Sequence, residues 1–587
     1  MSAPFSTWAQ GETDKELPAQ MVATPTAGEP PAESKPLRKP RKHSGNNSLF
    51  MDKEGNRKPL SRVLVELADS AEVFSNAAGM SFARIEGNGH REVWGLKSQT
   101  FREWLESKLY KASGRGANAS AMTDAIGTLC AKARHGGGFR REVYTRIYSD
   151  NERILIDLAD DECRAVEVTR NGWNVISPDV DFIRGRTQQS IPVPIAGGKL
   201  DDLRAFINAS DEDASLVIAW ILSALRTGKP YPVLILQGEQ GTGKSTITKL
   251  VRSLCDPSAV PMKSIPKEER DLLVSAANNH VIALDNLSGL QGWQSDMICR
   301  VATGGGFAAR TLYTDADETA YYLQRPVILN GIDDLATRGD LASRALVIPL
   351  RPLGDNRISE SELERKWEAA RPRIFGALLD ALACALKSAD TVKLKHKPRM
   401  LDFALWSTAA LGDKFEAAYI GNQESLIDES LNASPLATAV QALMMVRDQW
   451  QGSPADLLAE LGNHDKQGAR NGQAWPQAPR GLTNSLRRLA PHLRHIGIEL
   501  EQGTGGRNGR DYVIRKVAKQ AFQAFPRSKP SKDRALQESA MRSASVPDLL
   551  ACVPSVPENP VTMWAGTDGT LGTLNSPPSQ SGVEYDL

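Results

Sequence analysis

Apolar and polar residues follow each other with different periods along the chain, and these periods predict its elements. The run VLILQ at 233–237 is apolar up to its last residue, as in a strand buried on both faces, and residues 244–255 follow with helical spacing. Residues 200–228 predict two helices, and 355–430 have a helical pattern throughout. The run VIALD, which ends at Asp285, predicts another buried strand. We therefore expect an α/β core with a parallel sheet.

The region before this core predicts an α+β domain. A short strand leads into an amphipathic helix. Four residues are expected on one face of this helix: Phe101, Trp104, Leu105 and Tyr110. Further strands follow, and the pair Asn171-Gly172 before an alternating run is a strong hairpin signal.

Near the C-terminus the pattern predicts a helix and then a two-stranded wing. Leucines recur at spacings of four, three and four, which makes one apolar stripe that belongs to the core: Leu482, Leu486, Leu489 and Leu493. Two alternating runs then flank a glycine-rich loop, and this completes the outline of a winged-helix-like domain.

The same region concentrates positive charge. Residues 480–516 carry eight basic and three acidic side chains, a balance that favours contact with nucleic-acid phosphates. The candidate DNA contacts are Arg487, Arg488, Arg507 and Arg510. A winged helix that binds protein stays open as the alternative, because the shape alone does not imply function.

Length and composition indicate a globular protein of several domains. The chain has 587 residues, of which 41% are hydrophobic and 24% charged, and its net charge of +1 provides no global attraction to nucleic acid. The predicted divisions are a disordered basic tail (1–48), an N-terminal α+β accessory domain (49–195), a helical collar (196–229), a P-loop ATPase core (230–352), a helical region (353–435), the winged-helix-like domain (436–516) and a disordered tail (517–587).

Cysteine spacing and terminal segments narrow the class further. The six cysteines form no C-x-x-C pair, which argues against a disulfide framework or a zinc site. The N-terminus lacks a basic stretch followed by an apolar run, and no uninterrupted apolar stretch reaches ~18 residues. We therefore expect a cytoplasmic protein without a membrane partner.

The strand at 233–237 ends at the sequence GEQGTGKS, and a helix follows it. Strand, glycine-rich loop and helix in this order are the context in which a P-loop binds nucleotide phosphates. The residues expected around the phosphates are Gly238, Glu239, Gln240, Gly241, Thr242, Gly243, Lys244, Ser245 and Thr246. Lys244 is expected to reach the β- and γ-phosphates, and Ser245 to hold Mg²⁺. The motif thus predicts ATP and Mg²⁺ as cofactors.

The strand that ends at Asp285 predicts the other half of this site. An Asp at the carboxyl end of a strand can hold Mg²⁺ through its water shell, although it can also merely cap a turn. Asn286 follows where a second carboxylate would be expected, and an amide cannot accept a proton at neutral pH. Either Asn286 orients the attacking water without acting as a base, or Asp285 or Glu239 is the base, or hydrolysis is slow or absent.

The next segment carries a resemblance to known ATPases. The sequence VATGGGFAARTLYTDADETAYYLQRPVILNGID predicts a hairpin and then an apolar strand that ends in Asn330, and an arginine precedes the following strand. This order resembles that of the superfamily 3 helicases, AAA+-related ATPases of viral, phage and plasmid replication that include the poxvirus-type primase-helicases. More closely, it resembles ATP-binding proteins of this type that phages and mobile elements encode. The shared motifs extend from Gly238 to about Arg351.

The resemblance implies roles for two residues of the ATPase core. Asn330 would be the polar sensor that positions the attacking water or the γ-phosphate, and Arg344 the finger supplied to a neighbouring subunit's ATP. Arg338 is the second candidate for the finger. Two plainer interpretations stay open, because Asn330 can shape the turn after its strand and Arg344 can pair with Asp340 four residues before it.

The resemblance also implies a pore hairpin and a ring. Arg310 would face the central pore and contact a DNA phosphate, and Tyr313 would stack on a base. Both can equally be exposed strand residues. A homo-oligomeric ring, such as a hexamer, would bring the hairpins of all subunits together.

These patterns together predict an ATP-dependent DNA helicase or translocase in phage or mobile-element replication, acting on single-stranded or forked DNA. The alternative is a nucleotide-gated DNA-binding or assembly protein with little or no turnover, which the Asp285-Asn286 pair favours. A small-molecule P-loop kinase fits less well, because a sensor, a hairpin and a finger have no role in a monomeric kinase. The sequence has no primase or nuclease motif, so priming would need a separate partner.

Overall fold

The structure is a computed structural model, and part of the chain is described by it. The described residues are 47–87, 90–136, 140–310, 318–332, 334–336, 338–354, 357–464, 475–503 and 511–517. They belong to one compact unit that ends at Gln523, while Ala524–Leu587 form a second unit outside the described residues. Three candidate DNA contacts, Tyr313, Arg507 and Arg510, and nearly all of the two predicted tails also lie outside the described residues.

Antiparallel sheets and helices make up the N-terminal part. Its elements are α1 (Leu60–Leu67), β1 (Ala71–Ser75), β2 (Ser81–Gly87), β3 (His90–Gly95), α2 (Gln99–Ser113), α3 (Ala119–His135), β4 (Val143–Tyr144), β5 (Ile147–Ser149), β6 (Arg153–Asp157), β7 (Ala165–Thr169), β8 (Gly172–Ile176) and β9 (Asp181–Phe182). Strands β1, β2 and β3 form one antiparallel sheet, which packs against α1, α2 and α3. Strands β5 to β8 form a second antiparallel sheet in chain order.

Two details of this part differ from the sequence-based expectation. Helix α2 buries Phe101, Leu105 and Leu109, whereas Tyr110 is 64% exposed. The prediction for Tyr110 was wrong. Leu109, four residues after Leu105, lies on the same face of the helix, and Tyr110 is rotated about 100° further around the helix axis. The predicted hairpin between β7 and β8 is present, but its turn lies at 170–171, one residue earlier than expected.

A parallel sheet with helices on both faces follows. Its elements are α4 (Leu200–Arg204), α5 (Asp211–Ala224), β10 (Val233–Gln237), α6 (Lys244–Cys255), α7 (Glu269–Asn278), β11 (Ile282–Leu287), α8 (Gly292–Thr303), β12 (Gly305–Arg310), β13 (Glu318–Leu323), β14 (Val327–Gly331), α9 (Gly339–Ala342), β15 (Ala345–Pro349), α10 (Glu360–Ser388), α11 (Leu401–Leu411) and α12 (Asp413–Asn432). The parallel strands are ordered β11-β14-β10-β15, and β12 pairs with β13 in a separate antiparallel hairpin.

Strand β10 explains why its sequence does not alternate. Leu234 and Leu236 enter the core shared with α5, α6 and α10, and Val233 and Ile235 enter the core shared with α7 and α8. Because both faces of the sheet are covered, the first four positions of the strand are apolar, and only Gln237 at its carboxyl end is polar and half-buried. The predicted mixed α/β architecture with a parallel sheet is confirmed.

The C-terminal part has the element order helix, strand, helix, helix, strand, strand. These are α13 (Pro435–Val446), β16 (Gln449–Gly452), α14 (Pro454–Asn463), α15 (Pro479–His495), β17 (Ile498–Gln502) and β18 (Tyr512–Lys516), with the antiparallel strands in the order β16-β18-β17. The predicted leucine stripe is core: Leu482, Leu486 and Leu493 are fully buried and Leu489 is half-buried. None of the described helices is long and apolar enough to cross a membrane.

Candidate functional site

The carboxyl edge of the parallel sheet gathers the predicted site residues. The glycine loop, residues 238–243, leaves β10 at this edge and runs into α6. Asn330 lies in the neighbouring strand β14, and the Asp285-Asn286 pair lies in β11 beyond it. Ligands of open α/β sheets bind outside the carboxyl ends of the strands, so this edge is the candidate site.

The glycine loop wraps around the ammonium of Lys244. Its Nζ donates hydrogen bonds to the carbonyl oxygens of Gly238 and Glu239, each at 2.7 Å. Gly241 and Gly243 have φ angles of 84° and 82°, in the left-handed region where a side chain is strained. Thr242 is buried and donates to the carbonyl of Glu239, which tightens the loop. The loop therefore offers a charged centre at the amino end of a helix.

The first turn of α6 is joined to β11. Ser245 Oγ donates to Asp285 Oδ1 at 2.9 Å, so the two predicted Mg²⁺ ligands lie in direct contact. Burial lowers the pKa of Lys244, and the charge of Asp285 partly offsets this effect. Glu239 and Gln240 are exposed and Thr246 is half-buried. An ammonium, a hydroxyl, a carboxylate and a helix amino end in this arrangement suit a polyphosphate with a divalent cation.

Asn286 lies in a bulge of β11. The pairing of β11 with β14 shifts between Leu284 and Leu287, and Asn286 has a φ of 56°. Asparagine is among the few residues other than glycine that adopt the left-handed region readily. A bulge re-aims the side chains it contains, and that of Asn286 is exposed. The backbone thus gives a reason for asparagine at this position that the sequence pattern did not reveal.

Asn330 links the bulge to α6. It is 1% exposed, its Oδ1 accepts a hydrogen bond from the backbone N–H of Asn286 at 2.8 Å, and its Nδ2 donates to Thr248 Oγ1 at 3.1 Å. Thr248 donates in turn to the carbonyl of Lys244. These hydrogen bonds run to β11 and α6 and not to the turn after Asn330, so turn-shaping does not account for its side chain. Sequence reasoning missed Thr248 because it belongs to no motif; the signal that could have found it is its position one helical turn after Lys244.

The two finger candidates lie in different places: Arg344 is at the opposite edge of the sheet, and Arg338 is beside the amino end of α8. The carbonyl of Arg344 accepts the N–H of Val233, the first residue of β10, whereas the glycine loop follows the last. A five-residue strand separates them by roughly 16 Å. Arg338 Nη2 instead contacts Asp296 of α8 at 3.0 Å. The backbone of Arg344 therefore lies at the other end of β10 from the glycine loop of its own chain.

Arg344 forms the ion pair that was its plainer interpretation. Its Nη1 bonds to both the carbonyl and the carboxylate of Asp340, and Arg399 donates to the same carboxylate at 3.0 Å. Burial by itself would raise the pKa of Asp340, but the Arg344 hydrogen bond and the two arginine charges lower it overall. Arg344 is 20% exposed, so its guanidinium is partly accessible from outside the chain.

Arg357 is a cation at the glycine loop that sequence reasoning missed. A Cβ atom built on Gly241 would lie 2.8 Å from its Nη2, so the guanidinium rests against the loop. Within the described part of the chain, Arg357 has no hydrogen bond or ion pair, and its side chain is exposed. Arg357 lies within the segment whose pattern predicted helix, but α10 begins only at Glu360, and the path of the chain before it, which only the tertiary structure shows, places Arg357 there.

The segment that carries Arg357 is held over the loop by its backbone. The N–H of Leu350 donates to the carbonyl of Gln237 at 2.8 Å, and that of Arg351 donates to Asn208 at 3.1 Å. Asn208 Nδ2 in turn donates to the carbonyls of Arg351 and Thr242. The chain after β15 is therefore fastened to the glycine loop and to the connection between α4 and α5.

The candidate nucleic-acid residues are placed in part. Arg310 is the last residue of β12 and pairs in register with Glu318 of β13, so the predicted hairpin is present. The side chain of Arg310 lies outside the described part of the structure. Arg487 and Arg488 are exposed on α15.

Comparison with known proteins adds a family likeness. Residues 199–428 match a family model described as actinomycete integrative conjugative element replication protein, and residues 436–531 match one described as AICE RepA C-terminal domain. No curated protein matches the chain.

Solved structures provide a weaker likeness. Three similar chains are apo structures of the NrS-1 C-terminal region, each 12% identical to this chain, with TM-scores of 0.36, 0.35 and 0.34. Each alignment covers 78% of this chain and 98% or more of the other.

Proposed function

The two matched regions indicate a replication protein of an actinomycete integrative conjugative element, and on this premise we propose that the chain is a DNA-dependent ATPase of superfamily 3 helicase type. The contact that carries the proposal is the 2.9 Å hydrogen bond between Ser245 and Asp285 beside Lys244. It joins the glycine loop and the acidic strand, the two sequence features that together predict a P-loop ATPase.

The glycine loop would bind the phosphates of ATP. Backbone N–H groups of 238–246, at the amino end of α6, would donate to phosphate oxygens, and Lys244 would supply the charge for the β- and γ-phosphates. Ser245 and Asp285 would hold Mg²⁺, which neutralises charge on the phosphates when bound. The fit rests on the donor set itself, because a hydroxyl and a carboxylate oxygen are ligands that Mg²⁺ accepts.

Asn286 and Asn330 would have different roles in hydrolysis. Both polar ends of the Asn330 amide are engaged and the side chain is buried, so it acts as a positioning residue for Asn286 and not directly on water. Asn286 is exposed on the bulge and would orient the attacking water through its amide. Phosphoryl transfer depends mainly on positioning and charge, so an amide is sufficient for slow hydrolysis.

Two classes of arginine would complete the ATP site. Arg357 lies against the glycine loop of its own chain and would bind phosphate oxygens in cis. Arg344 lies at the far edge of the sheet and would reach ATP only in a neighbouring subunit, with Arg338 as the second candidate. The finger therefore requires a homo-oligomer, and a closed ring provides such a neighbour for every subunit.

The C-terminal elements would bind DNA. Helix, strand, helix, helix, strand, strand is the order of a winged helix, and α15 corresponds to its recognition helix, with Arg487 and Arg488 exposed. The β12–β13 hairpin, which ends at Arg310, would face the pore of the ring. Tyr313, Arg507 and Arg510 extend the same proposal to residues outside the described part.

One observation favours a second function. Position 286 offers an amide on a bulge where a carboxylate would polarise water, and Asp285 Oδ1 is already bonded to Ser245. ATP would then set the oligomeric state of a DNA-binding protein with little turnover.

ATP turnover with Mg²⁺, measured with and without single-stranded DNA, separates the two functions. We expect slow turnover that rises with DNA and is lost in Lys244→Ala, followed by strand displacement on forked DNA. Tight ATP binding without turnover would contradict the ATPase and leave the nucleotide-gated DNA-binding protein.

A further inference from the structure

A cluster of metal-binding side chains lies far along the chain from the glycine loop. A ring nitrogen of His90, a carboxylate oxygen of Glu92 and Sγ of Cys163 all lie within 4.8 Å of one another. They line a cavity of about 360 Å³ between β3, the β6–β7 turn and the region of β9. We propose that these three side chains bind a divalent transition-metal ion of the zinc type, with the fourth position open to water.

The ligand set has the composition and spacing of a zinc site. Nitrogen, carboxylate oxygen and thiolate sulfur are the three ligand types that Zn²⁺ takes in proteins, and three protein ligands with one open position are a common arrangement. Bond lengths of about 2.0–2.3 Å place two ligands of a tetrahedral ion roughly 3.3–3.6 Å apart. His90 Nε2 and Glu92 Oε1 are already 3.2 Å apart, so only Cys163 Sγ, which lies within 4.8 Å of both ligand atoms, has to move closer.

Strand geometry places two of the ligands on one side. His90 and Glu92 are two residues apart in β3, and side chains at this spacing point to the same face of a strand. The two ligands therefore form a preset pair, and a single further residue completes the set.

The backbone holds Cys163 towards this pair. Cys163 is buried and has a φ of 54°, a left-handed conformation that is uncommon for residues other than glycine. Its N–H donates to the carbonyl of Asp160, and Arg164 binds the Asp160 carboxylate with its backbone N–H and its Nε. Strained backbone of this kind persists where the surroundings fix it, often at a functional site.

The charges around the cluster suit a cation. Arg184 Nη1 donates to Cys163 Sγ at 3.2 Å. Burial raises the pKa of the Cys163 thiol and the charge of Arg184 only partly offsets this, so the ion itself would displace the thiol proton on binding. The charge of Arg184 is balanced by Asp157, which accepts two hydrogen bonds from the same guanidinium at 2.6 and 3.1 Å. The ligand set then carries two negative charges, from Glu92 and the thiolate, against a divalent ion.

A bound ion would join two separate antiparallel sheets. His90 and Glu92 belong to the sheet of β1 to β3, and Cys163 to the turn before β7 in the sheet of β5 to β8. No sequence pattern indicated this site, because its one cysteine has no C-x-x-C partner and lies more than 70 positions after the other two ligands.

Cobalt substitution tests the proposal on the full chain. The protein is stripped with a chelator and titrated with Co²⁺ in the absence of nucleotide. We expect one equivalent to produce the near-ultraviolet charge-transfer band of a cobalt–thiolate bond, and Zn²⁺ to abolish it. A site with oxygen ligands only, such as Ser245 with Asp285, gives no such band. The absorption measurement therefore tests the metal site independently of the proposed ATPase activity.

Matched variants assign the ligands. Cys163→Ser should abolish the band, whereas Cys384→Ser, which changes an exposed cysteine of α10, should keep it. The side chain of Glu92 is partly exposed, so its replacement should disturb the fold less than replacement of the other two ligands. We expect Glu92→Gln to weaken Zn²⁺ binding tenfold or more. A band that persists in Cys163→Ser, or Zn²⁺ affinity unchanged in folded Glu92→Gln, would overturn the proposal.

Discussion

At the scale of single residues, position 286 shows how backbone conformation and chemistry compete for one side chain. The bulge needs a residue that tolerates a φ of 56°, and the proposed reaction needs a group that orients water. Asparagine meets both requirements. Glutamate would meet the second, but its backbone would be strained in the left-handed conformation. The sequence pattern predicts a second carboxylate at position 286, and the asparagine found there is a residue that the local backbone conformation favours.

Glycine at this position separates the two requirements. Asn286→Gly keeps the left-handed conformation and removes the amide, so we expect stability close to that of the wild type and a fall in kcat of about tenfold or more. Asn286→Val is the matched contrast and should lose about 1–2 kcal/mol of unfolding free energy. Urea unfolding and steady-state turnover measure the two effects. Unchanged kcat in the glycine variant would mean that Asn286 serves the backbone alone.

Arg357 gives a second prediction at this scale. Arg357→Ala removes the cation beside the glycine loop, and loss of a charge-assisted hydrogen bond to phosphate should raise the Kd for ATP about tenfold. Arg365→Ala, which removes an exposed arginine on α10, is the control and should leave the Kd unchanged. Fluorescent ATP-analogue titration measures both. Equal affinities in the two variants would show that Arg357 does not touch the nucleotide.

At the scale of elements, the helix that follows the glycine loop is tied to the N-terminal part through a buried ion pair. Arg146 is fully buried and donates to Asp256, the residue that follows α6, and to the carbonyls of Asp157, Gln189 and Pro257. Asp256 also accepts the backbone N–H groups of His280 and Val281 before β11. Through Arg146, the Asp256 carboxylate therefore connects α6 and β11 with the sheet of β5 to β8.

Breaking this pair should destabilise the whole compact unit. Arg146→Ala leaves a buried carboxylate without its main partner, so we expect a loss of about 3–5 kcal/mol. Arg164→Ala removes a partly exposed salt bridge with Asp160 and should lose about 1 kcal/mol or less. Denaturant unfolding of the two variants measures the difference. A loss in Arg146→Ala as small as in the control would contradict the connecting role.

Helix α15 carries the element-scale prediction for DNA. Each arginine that contacts a phosphate adds about one unit to the slope of log affinity against log salt, so Arg487→Ala with Arg488→Ala should reduce the slope by about two. Arg365→Ala again serves as the control. Anisotropy of labelled DNA at several salt concentrations gives the slopes. An unchanged slope in the double variant would favour the protein-binding winged helix.

At the scale of the whole molecule, the two edges of the parallel sheet divide the proposed chemistry between subunits. The glycine loop, Asp285 and Asn330 lie at the carboxyl edge, and Arg344 lies at the amino edge. The α9 segment before Arg344 also meets α15, because a Cβ atom on Gly339 would lie 2.9 Å from Cε1 of His492. The DNA-binding helix of the proposal therefore packs beside the segment that would reach a neighbour's ATP.

Stability should depend on pH through a buried histidine. Burial lowers the pKa of His280 to about 4, while nearby Asp256 raises it and the charges of Arg325 and Arg146 lower it further. The unfolded chain, with an ordinary pKa near ~6.5, takes up a proton first as pH falls, so stability decreases from about pH 6.5 towards 4. Between pH 7 and 5 the loss should be about 2 kcal/mol.

Urea unfolding at the two pH values measures this loss. His280→Gln keeps a side-chain donor for the carbonyl of Ala224 but cannot titrate, so its stability should vary less with pH by about the same amount. Burial by itself would raise the pKa of Asp256, but the charges of Arg146, His280 and Arg252 and the hydrogen bond from Val281 together lower it, so its contribution to stability is lost only at lower pH. Equal pH dependence in the wild type and His280→Gln would contradict the assignment.

The sequence by itself determined the features that depend on local order along the chain. The strand at 233–237, the helix at 244–255 and the leucine stripe of α15 follow from periodicity, because burial on one or both faces imposes it. The glycine loop and its lysine follow from residue type, because few residues tolerate that backbone.

Only the tertiary structure decided the features that depend on distance between separate segments. The bulge at Asn286, the placement of Arg357 against Gly241 and the meeting of His90 with Cys163 arise where strands and turns distant in sequence come together. Arg344 shows the same limit, because its position at the amino edge depends on the register of β15 with β10. Local patterns contain no information about such register, and this is why they predicted the elements but not these contacts.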